Sequence, residues 1–574
     1  MKFDEIKYER LDLQAIKKRG IELEKQLRSA KTYEEAKSIL KEIDKFMADD
    51  FMTPMSYLHI KNTIDTSDKF YEDEVKYYNK KMPMFIGLMR KLNKDLVESP
   101  FKEEFIKDGY SIKIKSAEVS LRQNKLSVAL LSMKESDLKM QYSKTVAQAK
   151  TNFMGKELNF YGLLKEMQNE DRDIRKQALN AWSNLYESIA DKLDEIYDKL
   201  IVNRCKQAKR LKYDTYVKQV YDARGIFDYN REDLKKFKDA IVKYVVPVCA
   251  KLNEERRERL GLDHLYFYDE SLFYKEGALV PQGTTEELIE KAYQMYSELS
   301  PETKEFFAFM KENNYFDLET KPNKRGGGYC TSLPKYKAPF IFSNFNGTSA
   351  DVDVLTHEAG HAFAAYTGFR NEEDPYAQDN MTMDVAEIHS MSMEHFAYPY
   401  MEKFFGDKAA KYRLMHLEDA LMTIPYLCAV DEFQGQVFEN PSCNSKERRE
   451  MWHRIEERFL PWRDYADNKF LNEGGFWMQK QHIFLFPFYY IDYAIAQMGA
   501  FQFYKKEVNN HEEAWKDYYK LCQIAGKQGY FDTIKLVNVK SPFEEDTIKE
   551  IVDFVCERIE VLKKDVEKKL RYHN

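Results

Sequence analysis

Residues 353–368 read DVLTHEAGHAFAAYTG, and within them sits H-E-x-x-H: His357, Glu358, Ala359, Gly360 and His361. On a helix, positions four apart differ by only about 40° around the axis and lie one turn apart, so both imidazoles reach one ion. By the same geometry Glu358 sits about 100° from His357, placed to face a water on that ion without being a ligand itself. Val354, Leu355, Ala362, Ala364 and Ala365 fit a buried helix whose alanines allow close packing, and Gly368 marks its C-terminal end. With 11 histidines in 574 residues, the spacing also fits two core histidines satisfied by backbone or tyrosine partners, so the motif needs context.

A third ligand is expected from another helix. Met381 to His395 read MTMDVAEIHSMSMEH, in which Asp384, Glu387 and Glu394 fall at i, i+3 and i+10 on one face of a methionine-rich segment. Buried carboxylates are costly unless paired or bound to metal. Glu387 is the third ligand on this reading; Asp384 and Glu394 accept imidazole N–H bonds or orient the ligand helix. The plainer alternative is a set of helix-to-helix salt bridges. His389 and His395 compete for the ligand role: His389 lies about 160° around the helix from Glu387, and His395 about 80° away but two turns on. Zinc on such N/N/O ligands lowers the pKa of water and polarises a carbonyl. Glu358 then takes the water's proton and later delivers it to the leaving amine.

The tetrahedral intermediate needs a further donor. Lys480 to Gly499 read KQHIFLFPFYYIDYAIAQMG, with His482, Tyr489, Tyr490 and Tyr493. Tyr490 and Tyr493 are three apart and share one helix face; a tyrosine hydroxyl donates without needing charge, and His482 in the right tautomer holds a carbonyl. In a chain with 39 Tyr and 38 Phe, core packing is the competing role for all of them.

Working outward, the first half reads as long helices: 21–29, 33–47, 70–97 with Pro83 as a kink or break, 126–149 and 181–207. Residues 101–114 have no clear pattern. A break is expected at 52–56, because Thr53 precedes Pro54. Thr284 to Glu287 open a helix with a capping-box pattern. The one strand region is 326–347: a glycine turn, a strand through APFIFSN (338–344) and a sharp bend. Beyond Ser349 the chain reads as helical, punctuated by Pro425, Pro441, Pro461 and Pro487.

Composition narrows the class. Hydrophobic residues make up 43% and charged residues 32%, and the net charge is −7. This is globular composition with no basic footprint for a nucleic acid. Lys206 to Lys212 are basic but helical in rhythm, a solvated face. Seven scattered cysteines, with no CxxC, argue against a disulfide framework and a thiolate metal site. The charged start MKFDEIKYER has no apolar h-region, and no run of about 18 apolar residues occurs. A cytoplasmic protein with no membrane partner is expected.

The chain resembles the oligoendopeptidase F-type members of the M3 metallopeptidases, the family that includes thimet oligopeptidase and neurolysin. The resemblance is carried by RGGGYC (325–330), PFIFSNFNGT (339–348), HEAGHAFAAY (357–366), DVAEIHSMSMEH (384–395) and HIFLFPFYYIDYAIAQ (482–497), and less distinctively by IAGKQGYFDTIKLV (524–537). It implies a mainly α-helical, multi-lobed zinc metallopeptidase with a small β-sheet beside a deep channel that admits short unstructured peptides. It implies one Zn2+ on His357, His361 and Glu387, which settles the choice against His389 and His395. It also implies that His482, Tyr490 and Tyr493 line the site. Tyr493 is the first choice for the oxyanion, Tyr490 the second and Tyr489 the alternate. By the same analogy Phe340 to Phe345 form an edge strand that pairs with extended peptides, and Gly326 to Gly328 a flap. The expected division is an N-terminal helical lobe over 1–195 and catalytic lobes over 196–574. Two rivals stand: a carboxypeptidase gripping a terminal carboxylate with Arg325 or Lys324, and a non-catalytic peptide-binding protein.

Overall fold

The computed structural model describes residues 1–371 and 373–572. The fold is mainly α-helical with two small sheets. The amphipathic helices between Leu13 and Gln123 bury a cluster of their own, including Leu23, Leu40, Tyr78 and Phe105. A larger cluster runs through the rest of the chain. The helix Thr53–Ile64 joins the two: Leu58 packs into the first cluster, Tyr57 and Ile60 into the second. A 39-residue helix, Arg172–Arg210, runs unbroken through residue 195, so the boundary expected there falls inside one helix.

Proline behaves less disruptively than its sequence reading. No break occurs at 52–56: a wide turn over Met47–Met52 leads straight into Thr53–Ile64, and Thr53 keeps helical angles (φ −57°, ψ −51°) before Pro54. Its hydroxyl donates to the Ala48 carbonyl (3.0 Å) inside that turn. Pro83 does interrupt its segment, where a short 3-10 stretch separates Lys69–Lys81 from Ile86–Val97. Pro425 does not end a helix but lies inside Ala409–Glu439. Proline leaves the carbonyl four residues back without its N–H partner; here the Leu421 carbonyl faces the Cys249 thiol, with Sγ at 3.7 Å. The capping box at Thr284 and Glu287 forms as read.

The sheets hold more than the sequence reading found. A hairpin, β1 (Thr151–Phe153) with β2 (Lys156–Leu158), turns at Gly155 (φ +81°), the left-handed region open to glycine. The main sheet has three strands: β3 (Phe316–Glu319), β4 (Tyr329–Leu333) and β5 (Ala338–Phe345), in the order β3-β5-β4. β5 is therefore the central strand, parallel to β3 and antiparallel to β4. This corrects the expectation that Phe340 to Phe345 form the edge. The run Ala338–Ser343 is buried at every position, as a strand covered on both faces requires. β3 escaped notice because F-D-L-E is short and half polar. The edge beside the glycine run is β4, and the joining helix braces it: Thr63 Oγ1 lies 2.6 Å from the Tyr329 hydroxyl, and Arg325 N–H donates to the Thr63 carbonyl (2.9 Å).

The motif helix, Ala350–Gly368, lies under this sheet and crosses the helix Met383–Phe396, which carries the acidic residues. Gly360 sits at the crossing. A Cβ there would stand 2.6 Å from the His389 carbonyl oxygen and from Ser390 Cα, both backbone atoms that cannot turn away. We expect Gly360→Ala to destabilise the protein by ~1–3 kcal/mol, the usual cost of overpacking a tight core. Gly87→Ala, on an exposed helical position with nothing within 4 Å of the new Cβ, should instead be neutral or stabilising by up to ~1 kcal/mol. Denaturant unfolding of both variants alongside the parent checks the pair; an unchanged midpoint for Gly360→Ala would contradict the crossing.

Candidate active site

The crossing brings three side chains to one point. His357 Nε2 and His361 Nε2 each lie 3.4 Å from Glu387 Oε2. One ligand atom from each residue falls within 4.8 Å of the others, an arrangement able to hold a metal ion. Two imidazole nitrogens and a carboxylate oxygen suit a borderline divalent ion such as zinc. His357 is already turned to bind one, because its Nδ1 faces Glu394 Oε1 at 2.6 Å and leaves Nε2 for the ion. Glu387 is only 2% exposed at its side chain. Its Oε2 accepts from the Ser390 hydroxyl and its Oε1 from the Tyr489 hydroxyl, both at 2.9 Å.

The helix Met383–Phe396 is regular, and neither of its two histidines joins the His357–His361–Glu387 cluster. His389 is buried on another face, with burial pulling its pKa down to about 4. His395 stacks on Tyr504 and faces Gln497 Nε2 at 3.3 Å. Asp384 touches no imidazole. It accepts from Tyr229 (2.8 Å) and from the Val385 N–H (2.8 Å), so it anchors the start of the carboxylate helix.

Glu394 leads to a residue that the sequence did not mark. Its second oxygen lies 3.0 Å from His416 Nε2, and His416 Nδ1 lies 2.7 Å from the Tyr398 hydroxyl. Burial opposes charge on both partners, yet their pairing wins: Glu394 is held down to about 2, and His416 is raised to about 9. His416 stands alone on the helix Ala409–Glu439, with no neighbouring motif to reveal it.

Glu358 is beside the histidines and 8% exposed; burial raises its pKa above the usual carboxylate range. The glycine run lies against it. A Cβ on Gly328 would come within 3.5 Å of Glu358 Oε1 and 3.0 Å of Val354, whereas Gly326 and Gly327 face open space.

The tyrosine segment divides its members. Tyr489 donates to Glu387, and Tyr493 donates to the Tyr489 hydroxyl (3.0 Å). Burial raises the pKa of both, so both keep their protons. Tyr490 turns away from Glu387, accepting from Lys480 Nζ at 2.9 Å and packing on His482 with ring centroids 4.6 Å apart. Burial, with Lys480 nearby, lowers His482 to about 4, leaving a neutral imidazole. Tyr489 is placed by an unusual backbone. Phe488 holds φ +60°, uncommon for a bulky residue. Its N–H donates to Gln434 Oε1 (3.0 Å), and its carbonyl accepts from Arg224. Of the two cations considered for a carboxyl terminus, Lys324 is engaged: its buried Nζ binds Asp317 Oδ1 (2.5 Å) and the Glu319 carbonyl (2.7 Å).

Comparison with known proteins agrees along the whole chain. The sequence model of Peptidase family M3 matches residues 166–552, and that of the Peptidase M3 N-terminal domain matches 3–124. The structure of Pz peptidase A with an inhibitor superposes with a TM-score of 0.91 at 39% identity, covering 98% of this chain and 100% of that one. A structure described as an oligoendopeptidase F from Bacillus anthracis (strain Ames) gives 0.86 at 36% identity, covering 98% and 99%. The oligoendopeptidase F homologue of Borreliella burgdorferi is 25% identical over 409 residues, 69% of this chain and 67% of that protein. The group B oligopeptidase PepB of Streptococcus agalactiae is 22% identical over 383 residues, 65% of this chain and 61% of its own length.

We expect Glu394→Ala to weaken affinity for an added divalent metal such as zinc by about 10- to 100-fold, the usual cost of removing a carboxylate behind a ligating imidazole. Competition with a chromogenic chelator measures it; unchanged affinity would mean that the Glu394 contact does not orient His357.

Proposed function

The chain belongs to peptidase family M3 as an oligoendopeptidase F-like enzyme, and on that premise we propose that it hydrolyses internal bonds of short, unstructured peptides at one zinc ion. The observation that carries this reading is the convergence of His357, His361 and Glu387 with Glu358 one residue along the same helix. When bound, zinc supplies Lewis acidity, polarising the scissile carbonyl and acidifying water. Glu387 contributes the anionic ligand, held by Ser390 and Tyr489. Glu394, charged by its contact with His416, keeps the His357 ring turned for metal.

Glu358 is the base that takes a proton from the attacking water and the acid that returns it to the departing amine. Its burial favours the protonated form it needs between those two steps. Tyr493 and Tyr489 are the donors we assign to the developing oxyanion, in that order, since Tyr489 bonds Glu387, Tyr493 bonds Tyr489, and both retain their protons. Tyr490 and neutral His482 line the approach and hold a substrate carbonyl or side chain. The free edge of β4 replaces β5 as the strand against which an extended peptide pairs, because it begins at Tyr329, directly after Gly328, which lies beside Glu358. No helix among the described residues is long and apolar enough to cross a membrane, and all seven cysteines are free thiols, which fits cleavage of peptides in a reducing cytoplasm.

Glu358→Gln should keep zinc content near that of the parent and lose turnover by a factor on the order of 10²–10⁴. Full activity in that variant would sink the mechanism. The assay uses an N-acetylated, C-amidated peptide, which an endopeptidase cuts internally and a strict carboxypeptidase leaves whole. Tyr493→Phe should lower kcat by about 10- to 1,000-fold with KM little changed. A loss confined to KM would assign Tyr493 to binding rather than to the oxyanion.

A further inference from the structure

A cavity of about 690 Å³ is bordered by the start of the tyrosine segment, Lys480 to His482. Its walls are largely aromatic, with Tyr142, Phe160, Trp182, Tyr186 and Phe476 among them, and Phe160 stacks on Tyr186 at 3.8 Å. Volume and lining are those of a site for a peptide side chain with some backbone. At one end stand Lys480 and His482. His482 packs on Tyr490 and, with centroids 6.0 Å apart, on Tyr489, whose hydroxyl bonds Glu387. The cavity thus lies one tyrosine ring from the metal ligands.

Lys480 is the odd feature of this wall. Several buried cations are matched, Lys238 with Asp431 and Glu432, Arg448 with Asp194 and Asp198, and Arg463 with Glu270, whereas buried Arg256 meets the Glu270 carbonyl (2.9 Å) rather than a carboxylate. Half-buried Lys480 forms no ion pair among the described residues. It donates to the Tyr490 hydroxyl at 2.9 Å and lies 4.5 Å and 5.4 Å from the ring centres of Tyr490 and Tyr426. Ring faces and one hydroxyl leave this ammonium without a counter-ion; a carboxylate would supply one. Glu270 also lines the cavity, but Arg463 neutralises it, with contacts of 2.9 and 3.3 Å. Tyr142 and Phe160 come from residues 125–165, between the two family matches, so part of this wall is contributed by a stretch that neither covers.

We propose that this cavity is a subsite for a peptide carboxylate next to a large apolar side chain, with Lys480 as the cation that holds it. The proposal rests on the reading of the chain as a peptidase. It makes the enzyme an endopeptidase biased toward substrates with a negative charge a short distance from the cut, from either the chain terminus or an acidic side chain. Blocked peptides remain substrates, with a weaker hold.

The test uses zinc-loaded, full-length Glu358→Gln, which separates binding from turnover. The probes are three N-terminally fluorescein-labelled pentapeptides ending in phenylalanine: the free acid, the amide with glutamine in fourth place, and the amide with glutamate there. Fluorescence anisotropy should show one or both carboxylate peptides binding at least about 10-fold tighter than the neutral amide. The free acid alone gaining assigns the charge to the chain terminus; the glutamate peptide alone gaining assigns it to a side chain. Adding Lys480→Met should reduce the difference to about 2-fold or less, while Lys480→Arg retains most of it. Phe160→Ala should weaken all three peptides and leave their ratio intact, which guards against a general collapse of the site. Equal binding of all three by the Glu358→Gln protein, or a preference that survives Lys480→Met, overturns the proposal. Parallel incubation of the parent enzyme with the same peptides keeps the two readings apart: charge-selective binding without any cleavage would reject the peptidase reading and leave the subsite standing.

Discussion

The closeness of two helices at Gly360 is the constraint on which the site depends. The candidate metal ligands come from two helices, and here those helices approach backbone to backbone, at Gly360 against His389 and Ser390. A third helix, Tyr490–Asn509, obeys the same rule at Gly499, where a Cβ would stand 3.0 Å from the Ile388 side chain. The carboxylate helix is thereby held between two neighbours that each give up a side chain to reach it. Glu387 points one way to the histidines and the other to Tyr489 because that helix has little freedom to roll. The glycine within HEAGH is a packing requirement as strict as the chemistry of the residues around it.

The polar chain behind the site has a related logic. His357, Glu394, His416 and Tyr398 form a line of contacts of 2.6, 3.0 and 2.7 Å through a buried region. Each member satisfies the next, so charge that would be costly in isolation is tolerated. Arg224, Phe488 and Gln434 do comparable work for Tyr489 through a backbone turn that a phenylalanine would not adopt unaided. Glu394 shares the helix of Glu387 and was legible with the candidate ligands; His416, Arg224 and Gln434 come from segments distant in sequence and were not.

The same distinction explains the rest of what could and could not be read. His357, Glu358 and His361 follow from a local period, and Glu387 from three acids on one apolar face, both properties of a single helix. Helix content followed from periodicity. The place of β5 did not, because edge or centre depends on a partner strand well upstream whose own pattern is too short to notice. Pro54 and Pro425 were read as interruptions because sequence rules know the lost N–H but not the Thr53 hydroxyl or the Cys249 thiol nearby. Tyr490 and Tyr493 share a helix face as their spacing requires, yet Lys480 draws one of them away from the metal ligands.

The seam between the N-terminal helices and the sheet bears on how the molecule is made. Phe3 is buried at 4% exposure with its ring 4.4 Å from that of Phe340, and its N–H donates to the Asn313 carbonyl at 2.8 Å. During synthesis the cluster from Leu13 to Ala117 has all its members early and can condense as the chain emerges. The first residues and the face of Thr53–Ile64 that carries Tyr57 and Ile60 meet each other early, through Phe3 and Ile6 against Tyr57, but gain their partners in the sheet only after β4 and β5 have left the ribosome. Until then the side of that face meant for the sheet is exposed apolar surface on the nascent chain. Phe3 is sealed by a contact that arrives more than 300 residues later.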